Sequence, residues 1–174
     1  RPEMFTACVM HSDMRKTGEF RCSNEKVNQL QSNISWSLRD NFFDIPSDCP
    51  QRDERLGWMG DAQVFSWTAA FNRETAMFFT KWMRDISAAS SLERGVPHIV
   101  PDIQGTYSSA AWSDAAVIIP WVVYQTYGDT RILEQSWKCM HEWVDYIHNH
   151  VNENGLWMTN YQYGDWLALD REMG

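Results

Sequence analysis

The sequence predicts an all-α domain built from helical hairpins and preceded by a short extended segment. Three observations support this fold class. Apolar residues recur every three or four positions from residue 23 onward, capping residues precede these stretches, and the first 22 residues lack this period. With 174 residues, the chain is long enough for about one domain. We therefore expect about five helices arranged as hairpins, with long loops at one end.

The first helix is predicted to follow an irregular start. Residues 4–22 contain short apolar runs broken by HSD and KTGE, which is typical of strands and turns. Ser23 or Asn24 can then cap a helix, and Glu25 is favoured in its first turn by the helix dipole. One stripe of this helix should face the core: Val27, Leu30, Ile34 and Leu38.

The second and third helices are predicted on either side of Asn72. Asp61 should cap the second helix, which runs through AQVFSWTAAF, and Asn72 should cap a third, RETAMFFTKWMRDISAAS. The third helix carries an apolar stripe in helical phase: Ala76, Phe79, Met83 and Ile86. Residues 91–112, which we call the long loop, have no legible period, and irregular segments of this length are usually functional.

The fourth and fifth helices complete the pattern. Ser113 should cap DAAVIIPWVVYQTYG, which is apolar nearly all round and should be buried, with a kink at Pro120. Asp129 should cap the fifth helix, TRILEQSWKCMHEWVDYIHNH. The residues expected to face inward are Ile132, Leu133, Met140, Val144 and Ile147.

Composition and charge exclude several classes of partner. Fifteen Lys and Arg against 23 Asp and Glu give a net charge of −8 without any basic cluster, so we expect neither a nucleic acid nor an anionic membrane as partner. No apolar run approaches the roughly 20 residues that span a bilayer, and the N-terminal residues do not resemble a signal peptide. The four cysteines are scattered without a C-x-x-C pair, which argues against a disulfide framework and leaves the compartment open.

The richest chemistry lies in residues 48–61, DCPQRDERLGWMGD. Glycoside hydrolysis needs one carboxylic acid to protonate the leaving oxygen and a second carboxylate to activate water or to attack carbon. Glu54 lies near Asp48 and Asp61 along the chain, and Trp58 could exclude water from it. Half of a catalytic centre and a simple capped turn both remain possible interpretations of this stretch.

Metal binding is the less favoured interpretation of the acidic and histidine clusters. His141, Asp145 and His148 share one helix face, but the zinc-protease pattern requires histidine at the middle position. The acids at 44, 48, 53 and 61 are unevenly spaced and interleaved with arginines that would repel a cation. We therefore predict neither a metal nor a cofactor.

Aromatic residues in loops extend the candidate site. The chain contains ten tryptophans, and flat rings both fill cores and stack on sugars. Trp112 precedes a helix in AAWSDA, and Asp165 and Trp166 lie in the loop YGDW. Trp112 could instead be a hydrophobic staple, and Asp165 a turn former. Five tryptophans lie within helical stretches and should be framework residues: Trp36, Trp67, Trp82, Trp137 and Trp143.

The segment DCPQRDERLGWMGDAQ resembles the signature of the bacterial-type α-L-rhamnosidases, glycoside hydrolase family 78. The resemblance continues through VMHSDMRKTGEFRCSN, VPHIVPD, AWSDAAVIIPW, YGD and GDWLA, in order along nearly the whole chain. It implies an (α/α)6 barrel that follows β-sandwich domains and cleaves terminal α-L-rhamnose with inversion and without a cofactor. Residues 1–22 would then end the preceding β domain, and residues 23–174 would form the N-terminal part of an incomplete six-hairpin barrel.

The resemblance also implies roles for individual residues. Glu54 matches the general acid of the family. Residues that match the surroundings of the rhamnose ring are Asp48, Arg52, Trp58, Asp61, Trp112, Asp165 and Trp166. The general base of the family is a glutamate on a much later loop, beyond Gly174, so we expect the chain alone to be inactive.

The expected partner is therefore a rhamnose-containing glycoside or polysaccharide. Other interpretations remain open on the residues alone. These are another (α/α)6 glycosidase, a polysaccharide lyase, a non-catalytic carbohydrate-binding protein and a purely structural helical domain.

Overall fold

The computed structural model describes residues 2–105, 107–164 and 166, and helices account for most of the regular structure in them. The α-helices are α1 (Glu25–Asn41), α2 (Met59–Asn72), α3 (Ala76–Ala89), α4 (Ala115–Tyr127) and α5 (Arg131–His150). A small antiparallel ribbon, β1 (Phe42–Phe43) and β2 (Ile45–Pro46), follows α1, and a single 3-10 turn spans Pro2–Met4. The predicted all-α class, with about five helices, is confirmed.

Helix α4 lies at the centre of the fold and packs against α2, α3 and α5. Its buried residues are Ala115, Ala116, Ile119, Pro120, Val122 and Val123. The expected burial of this helix is thus confirmed, although Trp121 remains half exposed on its outer side. No helix among the described residues has both the length and the apolar character needed to cross a membrane.

Two tryptophans form the centre of the core. Trp82 on α3 is fully buried, and its indole N–H donates to the Val100 carbonyl at 3.1 Å. Trp143 on α5 is also buried, and its N–H donates to Asp114 Oδ1 at 2.9 Å. The stripe predicted for α3 is confirmed at Phe79, Met83 and Ile86, which are all buried. The other tryptophans expected in the framework are largely exposed: Trp36, Trp67 and Trp137.

The stripe predicted for α1 is only partly correct. Leu38 is buried, but Val27 and Leu30 are exposed, so the contacts of this half of the helix, such as that of Gln31 with Asn72 of α2, do not cover the predicted stripe. Val144 on α5 is likewise exposed, since the inward face of that helix is rotated toward Cys139 and Tyr146. A periodic pattern identifies an apolar face, but it does not identify what covers that face.

The caps of α2 and α3 differ from those predicted. Helix α2 begins at Met59, so Asp61 lies in its first turn and does not cap it. Asn72 is the last residue of α2, where its side-chain oxygen accepts from Gln31 at 2.6 Å. Thr75 occupies the cap position of α3. Both aspartate and asparagine are common caps, which is why composition alone misplaced these two boundaries by three residues each.

The caps of α4 and α5 are shifted by one residue. Asp114 precedes α4, whereas the predicted cap Ser113 donates its hydroxyl to the Val96 carbonyl at 2.7 Å. Thr130 precedes α5, but Asp129 still contributes, because its Oδ1 accepts from the Arg131 N–H at 3.0 Å. For α1, Asn24 is the cap and accepts from the Lys26 N–H at 3.0 Å.

The N-terminal segment lies across the ends of α1 and α2. The Ser12 N–H donates to the Phe42 carbonyl, and the Thr17 N–H donates to the Asn72 carbonyl, both at 3.0 Å. Met14 is buried between them, while Met4 and Phe5 are largely exposed. The assignment of residues 1–22 to a preceding β domain stays a prediction.

Candidate active site

Asp48 organises the acidic loop, residues 47–58, which joins the β-ribbon to α2. Its main-chain N–H donates to the Leu56 carbonyl, and its Oδ1 accepts from the Leu56 N–H, each at 3.0 Å. Its Oδ2 accepts from the Cys49 thiol at 2.8 Å. The Asp48 side chain is only 5% exposed. The loop is thus closed around one buried carboxylate.

Arg52 connects this buried carboxylate to Glu54. Its Nε donates to Glu54 Oε2 at 2.9 Å, and its Nη2 lies 3.3 Å from Asp48 Oδ2. The Arg52 side chain is 61% exposed, so its charge also faces the solvent side of the loop. One guanidinium therefore fixes the relative positions of two carboxylates.

Glu54 is held on its other side by Trp58. The indole Nε1 donates to Glu54 Oε1 at 2.7 Å. The Glu54 side chain remains 33% exposed, in contrast to Asp48. Arg55, which follows, has a left-handed backbone (φ 52°) that reverses the chain between Glu54 and Trp58. This carboxyl is consequently oriented by two donors and is still open to a ligand.

Asp61 lies in the first turn of α2, three residues after Trp58. The residue as a whole is exposed, but neighbouring atoms partly shield its carboxyl from water. This loss of hydration raises the pKa of Asp61, and the negative charges of Asp48 and Glu54 raise it further. A main-chain hydrogen bond and the charge of Arg52 oppose the shift without reversing it. The three carboxylates therefore share one electrostatic environment.

The long loop forms the rear wall of the site. The Val100 N–H donates to the Gly57 carbonyl at 2.9 Å, and the Met59 N–H donates to the His98 carbonyl at 3.0 Å. A β-carbon at Gly57 would collide with the Val100 carbonyl oxygen, so only glycine permits this approach. The acidic loop and the long loop are thus joined through their main chains.

Tyr163 brings the predicted tryptophans together. Its ring stacks on Trp112 with centroids 4.3 Å apart, and it meets Trp58 at 5.9 Å and Trp166 at 5.5 Å in edge-on geometry. His98 lies 5.1 Å from the same ring. Three loops that are distant in sequence therefore converge in one aromatic cluster.

Trp112 is held in this cluster by its own loop. It packs against Gly60, where a β-carbon would lie 2.9 Å from three atoms of the indole. The preceding residue, Ala111, has a left-handed backbone (φ 67°), and its N–H donates to Asp114 Oδ2 at 2.9 Å. Its carbonyl accepts from Gln63. The main-chain N–H and carbonyl of Ala111 are thus both hydrogen-bonded, which fixes the direction in which Trp112 projects.

A cavity of about 450 Å³ opens between the β-ribbon, α2 and the end of the long loop at Trp112. Four of the predicted site residues line it: Asp48, Asp61, Trp112 and Trp166. The other three described ones, Arg52, Glu54 and Trp58, form the hydrogen-bonded cluster that shares Asp48 with the cavity. Asp165 lies outside the described residues.

Arg52 hydrogen-bonds two of three neighbouring groups that could bind a metal ion. Asp48, Cys49 and Glu54 have donor atoms within 4.8 Å of one another, which is compatible with a metal ion. However, Arg52 already hydrogen-bonds both carboxylates, and the Cys49 thiol donates to Asp48. The donor set is therefore satisfied by protein groups.

On α5, His141 pairs with Asp145 at 3.0 Å, and both side chains are 57% exposed. This arrangement is that of a solvated helix face.

Two residues of the cluster were not singled out from the sequence. His98 stacks on Trp58, with centroids 5.8 Å apart and planes 21° apart, and Tyr163 contacts all three tryptophans. Their segments, VPHIVPD and the residues before GDW, contributed only to the family resemblance or to a loop assignment. The density of aromatic residues just before GDW was the one local signal that could have indicated Tyr163.

The comparison with known proteins agrees with this geometry. Residues 15–174 match the family described as bacterial alpha-L-rhamnosidase 6 hairpin glycosidase domain. An α-L-rhamnosidase of Formosa agariphila is 45% identical over 168 residues, which cover 95% of this chain and 18% of that protein. One from Streptomyces avermitilis is 40% identical over 96% of this chain and 16% of its own length.

Solved structures show the same relationship. The α-L-rhamnosidase of Streptomyces avermitilis, determined in complex with L-rhamnose, matches 91% of this chain with a TM-score of 0.86 and 41% identity. The enzyme from Aspergillus terreus matches 93% with a TM-score of 0.85 and 43% identity. These matches cover 15% and 19% of the two solved chains, so this chain spans less than a fifth of the length of such relatives.

Proposed function

Because the chain belongs to the bacterial α-L-rhamnosidase six-hairpin glycosidase family, we propose that it forms part of the active site of a hydrolase for terminal, non-reducing α-L-rhamnose. Its helices match part of the six-hairpin structures of that family, as the sequence resemblance implies. The observation that carries the proposal is the fixed Glu54 carboxyl, held by Arg52 and Trp58 beside a cavity lined with aromatic rings and carboxylates. The substrate would be a rhamnose-containing glycoside or polysaccharide.

Glu54 is the proposed general acid. Such a group protonates the glycosidic oxygen as the bond to the anomeric carbon breaks. Each oxygen of Glu54 accepts one hydrogen bond, and an oxygen with two lone pairs retains a position for the proton. Its partial exposure leaves room for the leaving group. Trp58 and Arg52 would then hold the carboxyl at a fixed angle to the bond that breaks.

The general base is proposed to be another carboxylate. Inversion requires about 6.5–9.5 Å between acid and base, so that a water molecule fits between them and the sugar. Oxygens of Asp48 and Glu54 lie within 4.8 Å of each other, and Asp48 is nearly buried among three donors. Asp48 is therefore a poor base. The resemblance implies a base on a later loop, outside residues 1–174.

The remaining site residues are proposed to bind the sugar ring. Asp61 can accept hydrogen bonds from ring hydroxyls at the edge of the cavity, and Trp112 and Trp166 present flat faces for C–H contacts. Asp48 lines the same cavity by one edge and holds Arg52 toward the ligand. Asp165 is proposed to act beside Trp166 on the strength of the resemblance alone.

A leaving-group comparison tests the role of Glu54. In a complete six-hairpin protein that carries this chain, Glu54→Gln should lower kcat on a rhamnosyl disaccharide by about 10²–10⁴. An aryl rhamnoside with a good leaving group needs little protonation, so its kcat should fall much less. Asp53→Asn is the matched control, because this neighbouring carboxylate is exposed and pairs with Arg55. Equal losses on both substrates would remove Glu54 from this role.

Product analysis separates the proposed reaction from its alternatives. Proton NMR of the first product should show the anomer opposite to that of the substrate, because inversion is a single displacement. An unsaturated sugar would instead identify a lyase. Rhamnose binding without turnover would identify a carbohydrate-binding protein.

A further inference from the structure

His98 is a buried side chain that the proposed mechanism leaves without a role. It lies in the long loop and is 6% exposed. Its ring stacks on Trp58, and its Nδ1 lies 3.2 Å from the Ser109 hydroxyl. Its main-chain carbonyl accepts from the Met59 N–H. Both the ring and the backbone of His98 are therefore fixed next to Trp58.

The ring that His98 supports is the ring that orients Glu54. The Trp58 N–H reaches Glu54 at 2.7 Å, so any rotation of the indole moves this donor relative to the carboxyl. His98 covers one face of the indole, with 21° between the two planes, and Tyr163 meets it edge-on. The indole is thus confined by contacts from two other loops.

The imidazole is suited to this supporting position in its neutral form. Burial lowers the pKa of His98, and the opposing effect of the Asp102 carboxylate does not reverse the shift. Near neutral pH the ring is therefore uncharged, and it can stack flat on the indole without bringing an uncompensated charge into the interior.

We propose that His98 is a positioning residue for the reaction: through Trp58 it holds the Glu54 carboxyl at the angle needed to protonate the glycosidic oxygen. This inference rests on the proposed role of Glu54 as general acid. It assigns to the long loop a function in acid catalysis, although His98 itself touches neither the sugar nor the leaving group.

The test uses the complete six-hairpin protein and two substrates, a rhamnosyl disaccharide and an activated aryl rhamnoside. His98→Leu removes the flat ring and should lower kcat on the disaccharide by about 10- to 100-fold, the range expected for a misplaced catalytic group. On the aryl rhamnoside the loss should be less than about threefold, because protonation contributes little there. KM should change little for both. His98→Phe restores a flat ring and should recover most of the lost activity.

Two further variants separate positioning from general damage. Val96→Ala creates a cavity in the same loop at a residue that is 1% exposed, and it should lower the melting temperature while affecting both substrates equally. Ser109→Ala removes only the hydrogen bond to the imidazole and should give a smaller loss with the same dependence on the leaving group. Should His98→Leu fail to fold, His98→Phe and Ser109→Ala decide the question.

Equal losses of kcat on the two substrates in His98→Leu would overturn the proposal. Normal activity of His98→Leu would also overturn it, and so would a His98→Phe variant that loses as much activity as His98→Leu. With a misfolded His98→Leu, an unchanged Ser109→Ala would also overturn it. The role of Glu54 is judged separately by Glu54→Gln. If that variant shows the leaving-group dependence and the His98 variants do not, only the inference about His98 is wrong.

Discussion

The indole Nε1 of Trp58 lies 2.7 Å from Glu54 Oε1 and donates to it, while Arg52 donates to the other oxygen at 2.9 Å. An ordinary sugar-stacking tryptophan needs only its ring face. Trp58 also uses its N–H, which holds a carboxyl that lies four residues earlier in the chain. The acidic loop thus brings a hydrogen-bond donor and its acceptor together within one turn of chain.

We expect Trp58→Phe to lower kcat on rhamnosyl disaccharides by about 10- to 100-fold. The change keeps an aromatic ring but removes a hydrogen bond that orients the proposed acid, and a misplaced catalytic group can cost about 10²-fold in rate. Steady-state kinetics of the complete protein would measure the effect. Trp121→Phe is a suitable control, because Trp121 is half exposed on α4 and is not among the site residues. Unchanged turnover in Trp58→Phe would show that this hydrogen bond does not orient the acid.

We expect Gly60→Ala to raise KM by about tenfold, which corresponds to ~1.4 kcal/mol of lost binding. The added β-carbon would lie 2.9 Å from the Trp112 ring, so we expect the ring to shift from its place in the aromatic cluster. Rhamnose inhibition constants would report the same loss. In Gly105→Ala the new carbon meets no neighbour within 4 Å, although the left-handed backbone is strained, so KM should not change. If both variants bind rhamnose normally, Trp112 is not a sugar platform.

We expect Asp61→Asn to change the pH dependence of stability. The pKa of Asp61 is raised above its usual value of 3.8, so this carboxyl holds its proton more tightly in the folded protein than in the unfolded chain. Stability from this group is therefore greatest at acidic pH and declines as the pH rises from about 4 through the raised pKa. The melting temperature of wild type minus that of Asp61→Asn should fall over this range and then level off. A difference that rises with pH would show that the carboxylate is stabilised in the folded state.

We expect residues 1–174 alone to associate and to lack rhamnosidase activity. Helix α2 exposes Val64 (79%), Trp67 (52%) and Phe71 (59%) on one face, and contiguous apolar surface of this kind promotes association. Sedimentation velocity should detect oligomers. Replacing Val64, Trp67 and Phe71 by Asp, Lys and Asp should lower the fraction of oligomers. A single Val144→Asp on α5 is the control. A monomeric wild-type chain with full turnover on an aryl rhamnoside would contradict both the association and the assignment of the base to another segment.

The sequence was sufficient to predict the buried face of a helix when the helices that cover it follow closely along the chain. The stripe of α3 is buried as predicted because α4 and α5 follow it and cover it. The stripe of α1 was misassigned at Val27 and Leu30, since periodicity shows that a face is apolar without showing what covers it. Cap positions were displaced because Asp, Asn, Ser and Thr are all acceptable caps, and the choice depends on hydrogen bonds such as the one from Ser113 to Val96.

The sequence indicated those residues of the candidate site that lie close together along the chain. Asp48, Arg52 and Glu54 occupy one short stretch, and the structure joins them through hydrogen bonds. His98 and Tyr163 were missed because each stacks on a residue at least 40 positions away, a contact that helical periodicity does not indicate. Stacking partners become visible only when the loops are placed in space.

The close approach of Gly57 to the Val100 carbonyl has a practical consequence for engineering new glycosidases. Residues 47–58 carry the proposed acid, Glu54, but their path depends on main-chain contacts from Val100 and His98. Transplanting the acidic loop into another helical barrel therefore requires residues 96–101 to be transplanted with it. Directed-evolution libraries face the same restriction: crossovers between residues 58 and 96 will separate two segments that must be inherited together, and parents should be recombined outside this interval.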